Sequence, residues 1–224
     1  MAKRAATREL RHAGVADGLR VVRLTPSRMD DMRAVLRGSW GASCFCMAPR
    51  LTNTERLALP GPPDKRNRNA MTALARRRRA PGLLAYIGGE VAGWIAVAPR
   101  PELGPIERSK ATPRVDDVPV WAIPCITVRR GFRGQGVAQA LIRGAVEYAA
   151  ARGAPAVEAY PRASNERVHD DFAFIGTEAL FRKAGFRKLR GPLPVPRTWT
   201  PRVTMRIACT STTSRRPRAR SASA

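Results

Sequence analysis

The chain has 224 residues, 44% of them hydrophobic, which is enough for one domain with a substantial core. No stretch approaches the roughly 18 consecutive apolar residues of a membrane span, and the basic N-terminus lacks the apolar segment of a secretory signal. The formal net charge of +24 favours partners that carry negative charge, nucleic acid among them.

Hydrophobic patterns divide the chain into strands and helices in the order β-α-α-β-β-β-α-β-α-β-β. These elements are predicted over residues 19–24, 26–37, 64–79, 83–87, 91–97, 120–128, 136–152, 156–160, 177–184, 186–189 and 202–207. Gly88-Gly89 favours a tight turn, so the fourth and fifth elements are expected to form a hairpin. Antiparallel strands combined with one β-α-β crossover predict a single α/β domain.

The predicted domain covers residues 19–208 and has an extension at each end. Residues 1–18 are polar and lack periodicity, and residues 209–224 are basic and of low complexity, so both segments are expected to be disordered. Within the domain, residues 39–62 and the proline-rich residues 99–119 are expected to be irregular.

The cysteines and histidines show no spacing typical of a metal site. No two cysteines form a Cys-x-x-Cys pair, and the two histidines are far apart in the sequence. These residues are Cys44, Cys46, Cys125, Cys209, His12 and His169. We therefore expect reduced thiols in a cytoplasmic protein that has no metal.

A glycine-rich turn between the predicted strand 120–128 and the helix that begins at Gly136 has the features of an anion site. The first N–H groups of a helix lack internal partners, and the helix dipole adds positive charge at that end. Glycine lets a phosphate approach the backbone closely. The turn has neither the GKS or GKT of a P-loop nor the glycine spacing of a dinucleotide-binding turn. It predicts a phosphate site of another type, although a sharp turn without a ligand has the same pattern.

Two motifs in this part of the chain resemble those of the GNAT acetyltransferase superfamily. Arg133-x-x-Gly136-x-Ala138 is similar to the family's Arg/Gln-x-x-Gly-x-Gly/Ala signature and lies between the same two elements. Residues 178–186 resemble the family's A-x-x-L-Y-x-x-x-G-F segment. The element order over residues 19–208 is also similar, and the chain is identified as a member of this family on these three features.

The resemblance implies a fold and a set of partners. The sheet would be mixed and mostly antiparallel, with flanking helices and a central fourth and fifth strand that splay apart. Pro124 agrees with a splay because proline interrupts a strand ladder. Acetyl-CoA would be the acetyl donor and an amine the acceptor, with no metal. Cys44-Phe45-Cys46-Met47 is similar to the C-x-C-M segment of one subgroup.

The resemblance also implies how acetyl-CoA binds. Backbone groups of the fourth strand would pair with the pantetheine arm like an added strand, and amides of the turn would hold the pyrophosphate. The implied residues are Ile126, Thr127, Val128, Arg133, Gly134, Gln135, Gly136, Val137 and Ala138. The acetyl group would pass directly to a primary amine, which requires orientation, removal of a proton and protonation of the leaving thiolate.

Three positions depart from the acid–base pattern of the family. Many members have a glutamate where this chain has Ala122, a tyrosine where it has Phe181, and an asparagine where it has Phe174. Alanine and phenylalanine cannot transfer a proton. The usual catalytic acid and base are therefore missing from their expected positions.

Tyr160 and Glu158 are the candidates to replace the missing acid and base. Both point to one face at the end of the predicted fifth strand, beside the expected splay. Tyr160 is also compatible with a rim position that has no catalytic role, and Glu158 with a strand carboxylate paired with an arginine. His169 is a further candidate base, and Asp116 and Asp117 are candidates for binding a cationic substrate.

The segment around Cys44 and Cys46 is expected to form a wall of the acceptor pocket, because it does so in the family. Trp40 and Phe45 would make this wall partly aromatic, and ordinary packing is the alternative. Cys125 is expected to be a buried, unreactive thiol. The four arginines at positions 76–79 are expected to be a solvated helix end.

Two further functions stay open beside an acetyltransferase. The charge and the arginine-rich tail favour a nucleic-acid-binding protein on the same scaffold, although no helix-turn-helix, zinc-finger or RNP pattern is present. The missing acid and base are compatible with a protein that binds acetyl-CoA without catalysis. The sequence identifies no acceptor and leaves both a monomer and a homodimer open.

Overall fold

The computed structural model of the protein describes residues 18–36, 43–164, 166 and 170–209, and only the backbone of residues 170–172. Nearly all of the predicted N-terminal extension and basic tail lies outside the described residues. Trp40 and His169 also lie outside them, and what the sequence predicts for these two residues stays a prediction.

Seven strands form one mixed sheet. They are β1 (Arg20–Arg23), β2 (Gly82–Ile87), β3 (Glu90–Pro99), β4 (Trp121–Val128), β5 (Ala156–Ala159), β6 (Arg187–Arg190) and β7 (Thr204–Ala208). Their order across the sheet is β1-β2-β3-β4-β5-β7-β6. All neighbouring strands are antiparallel except β4 and β5, which are parallel. The predicted mixed, mostly antiparallel α/β fold is therefore confirmed.

Helices flank this sheet and occupy its connections. They are α1 (Met29–Val35), α2 (Asn53–Leu57), α3 (Arg66–Ala75), α4 (Gly104–Glu107), α5 (Val137–Ala150) and α6 (Glu178–Lys183). The longest of these, α5, is the crossover between β4 and β5 and packs on β2, β3 and β4. None of the described helices is long and apolar enough to cross a membrane.

Each face of the sheet has its own hydrophobic core. On one face, Ile95 and Val97 of β3 lie in a cluster with Leu141 of α5. On the other face, Trp94 of β3 lies in a cluster with Met32 of α1. Because successive strand side chains point to opposite faces, the apolar run of β3 supplies both cores. The sheet is consequently covered on both faces. The candidate site described below lies instead at the edge of β4 that is left open where β4 and β5 separate.

The short helix α2 was not expected, because residues 39–62 were predicted to be irregular. Thr52 and Glu55 form a capping box at its start. The Glu55 N–H donates to Thr52 Oγ1 at 3.2 Å, and the Thr52 N–H donates to Glu55 Oε2 at 2.6 Å. Two backbone donors that a short helix would leave unpaired are thereby satisfied.

The predictions for two other segments also need correction. α4 and a 3-10 turn over Arg100–Glu102 lie within residues 99–119, which were predicted to be irregular. α3 ends at Ala75, earlier than the predicted end at Arg79. Consecutive arginines repel one another on a helix, which favours an early end to α3.

Pro124 marks the point at which β4 and β5 separate. The parallel register between these strands covers residues 121–123 of β4 and ends there. On the other side of β4, the register with β3 shifts between Ala96 and Ala98. The predicted disruption of the ladder is confirmed, and residues 125–128 pair with β3 but not with β5.

Candidate active site

The turn after β4 reverses the chain into α5. β4 ends at Val128, a 3-10 turn covers Arg130–Phe132, and α5 begins directly after Gly136. Gly134 and Gly136 have φ angles of +80° and +77°, which glycine adopts without the steric cost of a side chain. The predicted strand–turn–helix arrangement is therefore present.

Gly93 on β3 allows α5 to begin close to β4. A Cβ atom at Gly93 would lie 2.9 Å from both Leu141 Cδ1 and Thr127 O. A side chain at this position would push the first turns of α5 away from the sheet. The glycine thus fixes the N-terminus of α5 beside the free edge of β4.

The N-terminus of α5 presents a row of backbone donors. Among the described residues, the N–H groups of residues 134–139 have no acceptor, and the first helical bond runs from the Ala140 N–H to Gly136 O at 3.0 Å. A Cβ atom at Gly131 or Gly134 would meet no atom within 4 Å. Unpaired N–H groups beside open space, at the positive end of a helix dipole, fit a phosphate group.

Arginine side chains flank this row of donors. Arg129 Nη1 donates to Val91 O at 2.6 Å, and its guanidinium carbon lies 5.2 Å from the centroid of the Phe132 ring. Arg133 Nε donates to Val128 O at 3.4 Å. These contacts hold positive charge next to the turn, where it would attract an anionic ligand.

The residues expected to meet the pantetheine arm lie on the edge of β4 beyond the splay. Residues 126–128 pair with residues 93–95 of β3 on one side. The pairing of β4 with β5 has already ended at Ile123 on the other side. A strand edge of this kind can accept an extended ligand as an additional strand.

A cavity of about 610 Å³ opens beside this edge. Its lining includes Pro124, Cys125 and Thr127 of β4, residues from the segments 44–49, 105–112 and 199–202, and Phe174. Phe174, the position at which the family frequently has asparagine, is therefore at the site but contributes an apolar ring. The cavity adjoins the splay, as an acceptor site in this fold would have to.

The charged side chains that line the cavity are all basic. They are Arg108, Lys110 and Arg202, and none of the described lining residues is an aspartate or glutamate. Arg202 is half-buried and makes no side-chain hydrogen bond or ion pair with another described residue. Burial lowers the pKa of Arg202, as expected for a cation without a partner.

The predicted wall segment contributes Cys44 and Cys46 to this cavity. Phe45 and Cys46 both have positive φ angles, of 44° and 53°, which makes a tight turn in the wall. Cys46 Sγ accepts a hydrogen bond from Trp94 Nε1 at 3.0 Å. The hydrogen bond with Cys125 and burial raise the pKa of Cys46, so this thiol stays neutral at pH 7.

A buried polar network lies behind the cavity and contains both residues predicted to be catalytic. Glu158, Tyr160 and Arg100 are only 1%, 2% and 1% exposed. Glu158 Oε2 accepts hydrogen bonds from Tyr160 Oη at 2.6 Å and Arg100 Nη1 at 3.1 Å. Glu158 Oε1 accepts from Arg206 Nε and Nη2 at 3.1 and 2.7 Å. The pairing with arginine that the sequence left open for Glu158 is present.

Arg100 connects this network to the cavity wall. Its Nη1 donates to Tyr160 Oη at 2.7 Å, its Nε to Glu107 Oε2 at 2.9 Å, and its Nη2 to Thr112 O at 2.7 Å. Thr112 lines the cavity, whereas Tyr160 and Glu158 do not. Arg100 therefore fixes one part of the wall from behind, a role that no sequence pattern had suggested.

The surroundings of Tyr160 determine the protonation state of its hydroxyl group. Burial and the neighbouring Glu158 carboxylate raise the pKa of Tyr160 well above its usual value. The phenol is therefore protonated at neutral pH, and its proton is directed to Glu158. A catalytic role for either residue stays a prediction.

The other two departures from the family pattern, Ala122 and Phe181, are both buried. Ala122 is fully buried and lies in register with Glu158 of the neighbouring strand, so a carboxylate is adjacent to the position that lacks one. Phe181 is also fully buried and packs edge-on against Phe186 at 5.2 Å between ring centroids. The ring of Phe181 supports the core and offers no proton.

Asp116, one of the candidates for binding a cationic substrate, is engaged within the protein. Its carboxylate accepts hydrogen bonds from Arg206 Nη1 and Nη2 at 2.7 and 2.8 Å. These bonds hold the pKa of Asp116 below its usual value. Among the described residues, no group of three or more His, Cys, Asp or Glu side chains is placed to hold a metal ion.

Residues 49–176 match the family model of the Acetyltransferase (GNAT) family, which is more than half of the chain. The protein therefore belongs to the GNAT acetyltransferase family, whose members bind acetyl-CoA and transfer its acetyl group to an acceptor. A search of curated protein sequences finds no match.

Several solved acetyltransferase structures have the same fold. An N-acetyltransferase from Staphylococcus aureus Mu50 is 16% identical, with 87% of this chain and 100% of that chain covered and a TM-score of 0.51. A ribosomal-protein-alanine N-acetyltransferase from Brucella melitensis is 17% identical, with coverage of 84% and 98% and a TM-score of 0.51. A histone acetyltransferase HPA2 and related acetyltransferase from Corynebacterium glutamicum ATCC 13032 is 21% identical, with coverage of 86% and 97% and a TM-score of 0.50. At these identities the likeness concerns the fold alone.

Proposed function

We propose that the protein is an N-acetyltransferase that passes the acetyl group of acetyl-CoA directly to a primary amine. The observation that carries this proposal is the row of N–H groups at residues 134–139, which lack acceptors in the described part of the chain, beside the free edge of β4. These two features fit the pyrophosphate and the extended arm of one ligand. The adjoining cavity of about 610 Å³ has room for an acceptor.

Each part of the site has a separate task in this reaction. The amides of residues 134–139, with Arg129 and Arg133 beside them, would bind the pyrophosphate. Residues 126–128 would orient the pantetheine arm along β4 toward the cavity. Acetyl-CoA supplies the activated acetyl group, and the cavity walls hold the amine next to it and exclude bulk water.

The charge of the cavity indicates which acceptors it takes. An amine attacks only in its neutral form, and the basic side chains of Arg108, Lys110 and Arg202 disfavour an ammonium group nearby. They lower the pKa of a bound amine and also disfavour a second positive group on the same molecule. We infer an acceptor amine with an apolar or anionic body.

Tyr160 and Glu158 stay the predicted catalytic pair. Because both are buried behind the cavity wall, direct proton transfer requires the wall to open. A positioning role through Arg100 needs no such movement. The two roles differ in their effect on the pH dependence of turnover, which a substitution of Tyr160 can measure.

We further infer a cytoplasmic protein that acts as a monomer or a homodimer. All four cysteines are free thiols, which is typical of a reducing compartment.

Thermal unfolding with and without acetyl-CoA tests the donor. A ligand at about a hundred times its dissociation constant stabilises by about 2.7 kcal/mol, which for a domain of this size raises the unfolding midpoint by about 5–11 °C. The variant Gly136→Asp, which places a negative charge at the proposed phosphate site, is the control and should show a much smaller rise at the same acetyl-CoA concentration. An equal rise in the variant and the wild type would mean that acetyl-CoA does not bind at this turn and would contradict the proposal.

Release of the CoA thiol in the presence of amines tests the transfer step. We expect release with amines that have an apolar or anionic body, and little with polyamines of matched size. Binding of acetyl-CoA without release by any amine of the panel would instead favour a protein that binds acetyl-CoA without catalysis.

A further inference from the structure

A second cavity, of about 630 Å³, has a lining dominated by arginine. Its basic residues are Arg23, Arg50, Arg77, Arg78, Arg79 and Arg152. Glu102 is the one acidic side chain among its described lining residues. This concave surface, termed here the arginine cavity, therefore carries a large excess of positive charge.

The arginine cavity is separate from the acetyl-CoA site. Arg152 follows the C-terminus of α5, whereas Gly136 precedes its N-terminus. A 14-residue helix is about 21 Å long, so α5 holds the arginine cavity and the phosphate-binding turn apart. Ala98, which also lines the arginine cavity, pairs with Ala122 in the first half of β4, away from the end that meets the turn.

Arg50 is the strongest indication of a ligand in the arginine cavity. Its side chain is only 8% exposed, and Nη2 donates to Pro81 O at 3.0 Å. Its Nε is buried and has no hydrogen-bond partner in the described part of the chain. A buried cationic donor without a partner is costly, and an anion bound in the cavity would supply the missing acceptor.

Two further arginines are held in place by aromatic rings. The guanidinium carbon of Arg152 lies 3.5 Å from the centroid of the Tyr148 ring, and that of Arg79 lies 5.7 Å from the centroid of the Trp121 ring. Arg152 Nη1 also donates to Tyr148 O at 3.0 Å, and Arg79 forms an ion pair with Glu102. Stacked guanidinium groups lose little freedom when an anion binds.

The three remaining arginines of the cavity are placed to pair with an anionic ligand. Arg23, Arg77 and Arg78 are exposed, and no side-chain hydrogen bond or ion pair joins them to another described residue. Part of their charge offsets the negative ends of α3 and α5, which both finish at this cavity. The helix ends carry only fractional negative charges, and Glu102 is the single carboxylate among the described lining residues. Together they do not neutralise six guanidinium groups.

We propose that the arginine cavity binds a small, multiply charged oxyanion of the phosphate class, a polyphosphate or a phosphate ester. Guanidinium groups pair with phosphate oxygens through two parallel hydrogen bonds, and their convergence from several directions suits several negative charges. The concave shape fits a small ligand better than a nucleic-acid strand. The site does not depend on the acetyltransferase function.

Calorimetric titration with inorganic pyrophosphate at about 0.15 M salt tests this proposal. The variant Arg77→Gln/Arg78→Gln removes two exposed charges and should bind pyrophosphate about tenfold or more weakly than the wild type, with an unchanged fold. Arg187→Gln/Arg197→Gln is the matched control, since it removes two exposed arginines elsewhere. Gly136→Asp alters the other phosphate site and should retain binding at the arginine cavity.

The alternatives give different results in this comparison. Equal affinity of the wild type and Arg77→Gln/Arg78→Gln, or an equal loss in the Arg187→Gln/Arg197→Gln control, would overturn the proposal. Loss of pyrophosphate binding in Gly136→Asp alone would assign it to the turn before α5. If single-stranded RNA binds tightly, depends on Arg77 and Arg78 and is not displaced by pyrophosphate, the arginine cavity binds nucleic acid and not a small oxyanion.

Discussion

The two ends of β4 are built from different groups. At its C-terminal end, backbone N–H groups of residues 134–139 and the free strand edge form the proposed acetyl-CoA site. At its N-terminal end, side chains of Arg100, Glu158 and Tyr160 form a closed network that is almost completely buried. At the C-terminal end, the N–H groups of residues 134–139 have no acceptor among the described residues, whereas every side chain of the N-terminal network is hydrogen-bonded.

The two ends of β4 therefore differ in what they would contribute. The backbone groups at the C-terminal end would bind the ligand, and the side-chain network at the N-terminal end stabilises the fold. A site made of backbone groups requires only the correct path of the chain. Its ligand affinity should therefore fall when a glycine of the turn is replaced and change little when most side chains are replaced. A buried charge network depends on each of its members, because removing one leaves the others desolvated and unpaired. Substitutions at the two ends should therefore affect different measured quantities.

The largest expected effect is at Gly136. Gly136→Asp places a side chain and a negative charge at the proposed phosphate site, at a φ of +77° that other residues adopt with strain. We expect acetyl-CoA affinity, measured by calorimetry, to fall by about a hundredfold or more. Gly153→Asp is the matched control, because Gly153 has a φ of +79° and follows the other end of α5. Equal losses in both variants would mean that strain and not the phosphate site is responsible.

Glu158→Ala tests the closed end of the comparison. Arg100 would keep Glu107 and Arg206 would keep Asp116, so we expect a loss near the lower bound for a broken buried pair, about 3 kcal/mol in the free energy of unfolding. Urea denaturation measures this loss. Acetyl-CoA affinity should be nearly unchanged.

Glu90→Ala is the control for that experiment, because the Glu90 side chain is 71% exposed. Its effect on the free energy of unfolding should stay within about 0.5 kcal/mol. A similar loss in both variants would show that the network contributes no more than a surface carboxylate.

Tyr160→Phe removes one hydroxyl from the network and should cost about 1–2 kcal/mol of stability, because buried partners are left behind. We expect turnover, measured as CoA thiol release, to fall more than acetyl-CoA binding. A pH–rate profile that loses one limb indicates proton transfer, and a profile of unchanged shape indicates positioning. Unchanged turnover would remove Tyr160 from the active site.

The smallest effect concerns acid stability. Because hydrogen bonds from Arg206 depress the pKa of folded Asp116, its contribution is present above the unfolded value of about 3.9 and is lost as the pH falls through the folded pKa. Asp116→Asn should flatten the pH dependence of the unfolding midpoint below about pH 4. A variant with the same pH dependence as the wild type would contradict this account of the Arg206 contact.

The sequence predicts the path of the turn and the splay well because their determinants are local. Pro124 interrupts the strand ladder, Gly134 and Gly136 allow the positive φ angles of the turn, and both predicted features are present. The network could not be predicted in the same way. Arg100 and Glu158 are 58 residues apart and meet only through the order of the strands.

Two other features of the structure show the same difference between local and distant determinants. The capping box of Thr52 and Glu55 is local and could have been recognised as a T-x-x-E pattern, although the segment was predicted to be irregular. The arginine cavity draws on Arg50, residues 77–79 and Arg152, which are distant in sequence. Only the fold brings these charges together, and residues 76–79 alone predicted no more than a solvated helix end.

Hydrogen exchange measured by mass spectrometry with and without acetyl-CoA is the most direct test of the backbone site. We expect acetyl-CoA to slow exchange by about tenfold or more in peptides that cover residues 126–139, because the N–H groups of residues 134–139 gain acceptors. Peptides that cover the arginine cavity at residues 76–79 should be unaffected. Protection confined to residues 76–79, or no protection of residues 134–139 at saturating acetyl-CoA, would contradict the assignment of the site.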